Sequence, residues 1–323
     1  MQAKSIFSGP YLKSVKTTSS PFYKIPIRMI YLGLIYSFFM SITGLISVSA
    51  ASPQTPTPYV FGVHPYLTAQ ELVERFTPLM NYLSDGLNKP VVLRVAKTYA
   101  SHIELVGNDQ VDIAYLGPAP YLNLVKNYGR KPLLAKIQVK GQSTFRGAII
   151  VSQNSPIKTV ADLRGQGFAF GSQDSTMSHF VPRFVLSQAG ITLDQLSHYK
   201  FLKYHENVVL GVLLGEFEAG AIKKDVYKQY AAEGIRILTW TPPITVHVFV
   251  ATQRFPQQQL EQLRTLFLNI NTHPTSKMIL TSIKNSITGL TTVKDEEYDD
   301  LRHILQTVEQ FETQRKLKPK SEK

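Results

Sequence analysis

The stretch Gly171-Ser172-Gln173-Asp174-Ser175-Thr176-Met177-Ser178-His179 is the part of this chain best equipped for chemistry. It joins an apolar run, GFAFGS (167–172), to a helical pattern over Ser175–Ala189 that stops at Gly190. Free N–H groups of a helix's first turn point out of its N-terminal end, where the macrodipole places partial positive charge. Hydroxyls of Ser175, Thr176 and Ser178 would add donors there, giving an oxyanion cradle that needs neither a metal nor a lysine. Ordinary N-capping by Ser175 or Asp174 accounts for the same residues. The loop alone supports both readings equally.

The other candidates are single residues. Tyr99 opens a short helix, His205 precedes another, and His247 alternates to one face of a strand between Val246 and Val248. His247 reads equally well as a core histidine, and His179 can face either a ligand or solvent. Tyr115 and Tyr121 read as core or cleft wall, and Arg146 as a structural residue of a crossing segment. Enzyme readings are weak, because no GxSxG elbow, HExxH helix or P-loop spacing occurs and the eight histidines are scattered. The chain has no cysteine, which removes disulfides, thiolate metal sites, Cys nucleophiles and anchoring through a lipid-modified cysteine. No catalytic residue, metal or cofactor is expected.

Two sets of alternating elements must position these residues. YVFGVH (59–64) reads as a strand, and Thr68-Ala-Gln-Glu71 is a capping box opening a helix to Gly86, with a kink expected at Pro78. Strands follow at 91–96, 111–117 and 132–140, with helices after Tyr99 and from Pro118. This β-α-β-α-β rhythm implies a parallel sheet covered by helices. The rhythm restarts with strands at 145–152 and 167–172, a helix over 175–189, and a helix over 206–215. Strand 217–222, helix 224–233 and strand 235–240 come next. A last strand, 245–252, has only helical patterns behind it. The layout is two α/β lobes: 58–142 plus 245–313, and 143–244. The chain crosses near 141–147 and returns near 241–246, so two segments make a hinge and the interlobe cleft is the default ligand site.

The formal charge of +12 is peripheral. Residues 1–50 hold five basic residues and no acidic one, and 314–323 hold five basic residues and one acidic, leaving +3 for 51–313. A nucleic-acid binder should keep a basic stripe on its folded face, and none is evident. The basic tail reads as a solvated end. After Arg28, an uncharged apolar run ends in Val48-Ser49-Ala50, the small-x-small pattern of an export signal, and a Pro/Thr linker (51–57) follows. The run is also long enough to span a bilayer if it stays uncleaved. Either way the remainder lies outside the inner membrane.

On the ordered set VDIAYLGPAPYL (111–122), FRGAIIVSQNSPIKTVADLRG (145–165), FAFGSQDSTMSHFVPR (168–183) and His205-Glu206 with GEFEAGA (215–221), the chain resembles the PhnD-like periplasmic solute-binding proteins of phosphonate, phosphite and phosphate ABC transporters. The resemblance spans roughly 58–300. It implies a two-lobed type II periplasmic-binding fold with mixed sheets, closing on a phosphorus oxyanion for delivery to an inner-membrane permease. It implies ligand contacts from Ser175 and Thr176, from His205 and from Tyr99. Met177-Ser178 stand where the family loop commonly has Ser-Gly. Leu116, beside Tyr115, takes the place of a second tyrosine. Of two carboxylates that hold a ligand amine in some relatives, Asp225 keeps one and His247 replaces the other, which disfavours aminoalkylphosphonates. A monomer is expected. Two other outputs of the same fold are a membrane-anchored sensor and, with no catalytic constellation to support it, an enzyme like the pyrimidine-precursor synthases.

Overall fold

A computed structural model describes residues 57–317, with side chains to 314; the expected export segment and the end of the basic tail lie outside the described residues. Among the described residues no helix is long and apolar enough to cross a membrane.

The first sheet has six strands: β1 (Tyr59–Val63), β2 (Val91–Val95), β3 (Ile113–Leu116), β4 (Leu133–Val139), β12 (Val248–Ala251) and β13 (Ile287–Thr291), in the order β13-β4-β12-β3-β1-β2. β1 pairs in parallel with β2 and β3, while β12 and β13 run antiparallel to their neighbours. The sheet is thus mixed, with a larger antiparallel share than the β-α-β rhythm implies, because the strands that return late in the chain enter against the grain. β3, IAYL, lies centrally and is buried throughout, as a strand covered on both faces must be.

Helices α1 (Ala69–Leu87), α2 (Tyr99–Gly107) and α3 (Pro118–Tyr128) connect the early strands. α1 begins at the expected Thr68–Glu71 capping box, buries Leu72, Phe76, Leu79, Met80 and Leu83 on one face, and continues through Pro78 to the left-handed Asn88. Helices α7 (Gln257–Asn269), α8 (Ser276–Ile283) and α9 (Asp299–Leu317) follow β12 in the chain.

The second sheet has the order β10-β6-β9-β7-β8, formed by β6 (Gly147–Ser152), β7 (Gly167–Phe170), β8 (His198–Phe201), β9 (Ala219–Lys223) and β10 (Ile235–Trp240). β7 is parallel to β8 and β9, and β6 is antiparallel to β9 and β10. Helices α4 (Val181–Gln188), α5 (His205–Leu213) and α6 (Lys224–Tyr230) belong to this set. Each sheet is sandwiched between two apolar clusters, for example Phe61, Phe76 and Phe249 on one face of the first and Phe168 and Phe170 on one face of the second.

The chain passes between the sheets through β5 (Thr144–Phe145) and returns through β11 (Ile244–Thr245), which pair as an antiparallel ribbon. Each of the single strands expected at 145–152 and 245–252 is therefore two strands in different sheets, broken at Arg146 and at Val246-His247. A strand that changes sheets cannot keep one continuous ladder.

The helix expected over 175–189 is also composite. It opens as a π-helical turn, Thr176–Phe180, and becomes α-helical only at Val181. Pro182 has no N–H to give the carbonyl of Ser178, and that carbonyl accepts instead from Gly171 N–H at 3.2 Å. The proline thereby ties the end of β7 to the first turn.

Two strands have no counterpart in the sequence reading. β8, HYKF, is an exposed edge with little apolar content, and β13, ITGLT, is held by non-local pairing with β4 behind two helices.

Candidate functional site

Six strands that run parallel within their sheets end at one place. His64 follows β1, Tyr99 follows β2 through its cap Thr98, and Gly117 follows β3. From the second sheet, Ser175 follows β7, His205 follows β8, and Lys223 ends β9. Carboxyl ends of parallel strands are where open α/β sheets bind ligands. These residues line one small cavity of about 20 Å³, with Pro120, Phe145, Thr176, Met177 and His247 completing its wall. A volume of that order holds about one ordered water.

Ser175 is the N-cap of the π-turn, and its Oγ accepts from Ser178 N–H at 3.1 Å. A hydroxyl that accepts still has its own proton to donate, so capping and ligand contact are compatible here. Thr176 Oγ1 accepts from the backbone N–H of Ala119 at 3.0 Å. That bond joins the second sheet's turn to the first turn of α3, and again leaves a hydroxyl proton. Met177 lies on the wall, with Thr241 Oγ1 3.6 Å from its sulfur. The N–H groups of Thr176 and Met177 precede the first carbonyl acceptor that the π-turn can offer them.

The histidines divide by tautomer. His205 Nδ1 accepts from Lys223 N–H at 3.3 Å. Burial, then Lys223 and Lys284, hold its pKa well below the ordinary value. A neutral His205 must then carry its proton on Nε2, as a donor. His64 is the converse. Its Nδ1 lies 3.3 Å from the carbonyl of Tyr115, which can only accept, and burial with His102 nearby keeps the ring neutral. Nδ1 therefore carries the proton and Nε2 keeps a lone pair. His102 Nε2 reaches the same carbonyl at 3.1 Å, and its pKa is lowered to about 4 by burial. His247 stacks on Tyr115 at 5.1 Å between ring centres, and burial with His64, Lys223 and Lys284 lowers it too. Tyr99 packs 4.6 Å from His64, and burial pushes its hydroxyl above the ordinary tyrosine range, so it stays protonated.

Other expected contacts lie off the cavity wall. Ser178 donates its hydroxyl to the carbonyl of Ala221 on β9, which fixes the turn against the sheet. A Cβ at Gly171 would sit 2.6 Å from that hydroxyl oxygen. His179 faces Phe170 and Phe201, with Nδ1 against the carbonyl of Gln173, and burial takes its pKa to about 4. The ring of Tyr115 packs in the core against Phe76 and Phe249, and its carbonyl is the partner of His64 and His102. Asp225 is half-buried and pairs with Lys284 at 2.5 Å. Arg146 lies over the ring of Trp240 at 5.9 Å, and Tyr121 donates to Asp295 at 2.6 Å.

The sequence reading omitted His64, Lys223, Gly117, Pro120 and Phe145. His64 was visible as the last residue of a strand pattern, and Lys223 as the residue just after one; the rule that carboxyl ends carry the site points to both positions. Lys223 also changes the chemistry, because a cation stands where only neutral donors were expected. Among the described residues no three His, Asp or Glu side chains converge as metal ligands would.

The model of the family described as "ABC transporter, phosphonate, periplasmic substrate-binding protein" matches residues 61–298. A probable ABC transporter phosphite-binding protein of Prochlorococcus marinus, PhnD1, is 22% identical over 257 residues, covering 72% of this chain and 85% of the relative. The phosphonates-binding periplasmic protein of Escherichia coli is 25% identical over 155 residues, 47% of this chain and 46% of its own. The solved structure of PhnD1 with methylphosphonate superposes with a TM-score of 0.71 at 20% identity, over 79% of this chain and 99% of that one. A binding component of a phosphonate ABC transporter from Pseudomonas aeruginosa gives 0.70 at 18% identity, over 79% and 88%. With the family model covering most of its length, the chain belongs to the periplasmic substrate-binding proteins of phosphonate ABC transporters.

Proposed function

We propose that the cavity closes on a single tetrahedral phosphorus oxyanion, phosphate, phosphite or a short phosphonate, which the protein carries to an inner-membrane permease. One observation carries this reading. Protonated hydroxyls of Ser175, Thr176 and Tyr99, the Nε2–H of His205 and the first-turn amides of Thr176 and Met177 belong to residues that meet around one small cavity without a carboxylate on its wall. Donors contributed by two sheets around one cavity suit an anion with several equivalent oxygens. Charge-assisted hydrogen bonds contribute about 1.5–3 kcal/mol each. Five or six therefore suffice for micromolar affinity, about 8 kcal/mol, after ordering and desolvation costs. The relatives' descriptions as phosphite- and phosphonate-binding proteins support the same ligand class.

The ribbon of β5 and β11 is the natural hinge, since the chain crosses there twice. The lobes it joins are 58–142 with 245–313, and 143–244. Ser175, Thr176 and His205 serve from the second, and Tyr99 and His64 from the first. The protein acts as a monomer in the periplasm, exported by residues 1–50, and performs no catalysis. Titration calorimetry of the exported protein, stripped of bound ligand, with phosphate, phosphite and methylphosphonate tests the reading. Heat from at least one is expected; heat from none overturns it. N-terminal sequencing yields Ala51 if the export segment is removed, and Met1 if it is kept as an anchor.

A further inference from the structure

We propose that Lys223 sets the charge class of the ligand, so that the site takes dianionic oxyanions with neutral substituents and rejects phosphonates that carry an ammonium group. The inference rests on the oxyanion reading above and narrows it.

Lys223 is the last residue of β9 and lies on the cavity wall. Its ammonium stands 5.0 Å over the ring of Tyr66. Among the described residues no carboxylate forms an ion pair with it. A cation partly withdrawn from water without a counter-charge is unfavourable, and an anion in the cavity would supply that counter-charge.

The charged groups around Lys223 are Lys284, Glu206, Asp225 and Arg75. Glu206 and Asp225 are not on the cavity wall, and Asp225 is engaged by Lys284. His64, His205 and His247 complete the surrounding titratable groups, and the positive field of Lys223 bears on all three. Burial, then Lys284, lowers the pKa of Lys223 to about 8, so it is mostly charged at neutral pH. A ligand ammonium held in this small cavity would meet a like charge and no carboxylate on the wall. At an effective dielectric of about 20, like charges about 6 Å apart weaken binding by roughly 100-fold.

Ethylphosphonate and 2-aminoethylphosphonate are nearly the same size and differ in this one charge. Calorimetry on the wild-type protein should show ethylphosphonate bound about 100-fold more tightly. Lys223→Gln should weaken ethylphosphonate by at least 10-fold and bring the ratio of the two ligands below about 10. Lys223→Arg should preserve the preference. Equal binding of both ligands by the wild type, or an unchanged ratio in the Gln variant, overturns the proposal while leaving the oxyanion reading intact. Binding of no phosphorus anion overturns both. The wild-type comparison decides even where a variant fails to fold.

Discussion

Acid should destabilise this protein through histidines that the fold keeps neutral, and His102 gives the cleanest measure. It is fully buried, its Nε2 bonds the carbonyl of Tyr115, and its Nδ1 has no partner. Burial lowers its pKa from 6.5 to about 4. The unfolded chain therefore binds this proton more readily than the native state. Stability is fully present above about pH 6.5, falls as pH drops, and stops changing from this source below about pH 4. At 1.36 kcal/mol per unit the loss comes to about 3 kcal/mol, a large part of the about 5–15 kcal/mol that holds a typical domain together. Paired carboxylates such as Asp109 and Asp295 have lowered pKa values and lose their contribution at still lower pH, so the window from pH 7 to 4 belongs mainly to the histidines. Urea unfolding of the wild type and of His102→Gln at pH 7.5, 6, 5 and 4 isolates the contribution, since Gln can still donate to Tyr115. The variant should be the less stable at pH 7.5 and should close most of the gap by pH 4. A loss from pH 7.5 to 4 that is equal in both proteins, within about 1 kcal/mol, would refute the reasoning.

Two substitutions probe the turn. Thr176→Val keeps the shape but orphans the N–H of Ala119, so it should cost about 1–3 kcal/mol in urea unfolding and weaken oxyanion binding at least 10-fold. Gly171→Ala places a Cβ 2.6 Å from Ser178 Oγ and 2.9 Å from its Cβ. The turn must shift, and calorimetry should show at least a 10-fold loss of affinity even where the melting temperature drops only slightly.

Much of the fold was legible because most elements announce themselves locally. The Thr68–Glu71 box, the buried stripe from Leu72 to Leu83 and the apolar runs of β1, β3 and β7 are decided by neighbours in sequence. What escaped depends on distant partners. β8 and β13 become strands through pairing alone, and the breaks at Arg146 and His247 arise because the chain changes sheets there. The site divides the same way. Ser175, Thr176, Tyr99 and His205 could be singled out from a hydroxyl-rich loop, helix starts and a family pattern. That Ser178 turns to Ala221, that Asp225 pairs with Lys284, and that Lys223 stands among three histidines are consequences of two sheets meeting. No local signal carries them.

The most direct test of the oxyanion site is a crystal structure of the protein with methylphosphonate. The phosphonate oxygens should lie within hydrogen-bond distance of the hydroxyls of Ser175, Thr176 and Tyr99 and of His205 Nε2, with the methyl group away from Lys223. A phosphonate bound anywhere else, or none bound at saturating concentration in a stripped protein, would contradict the site described here.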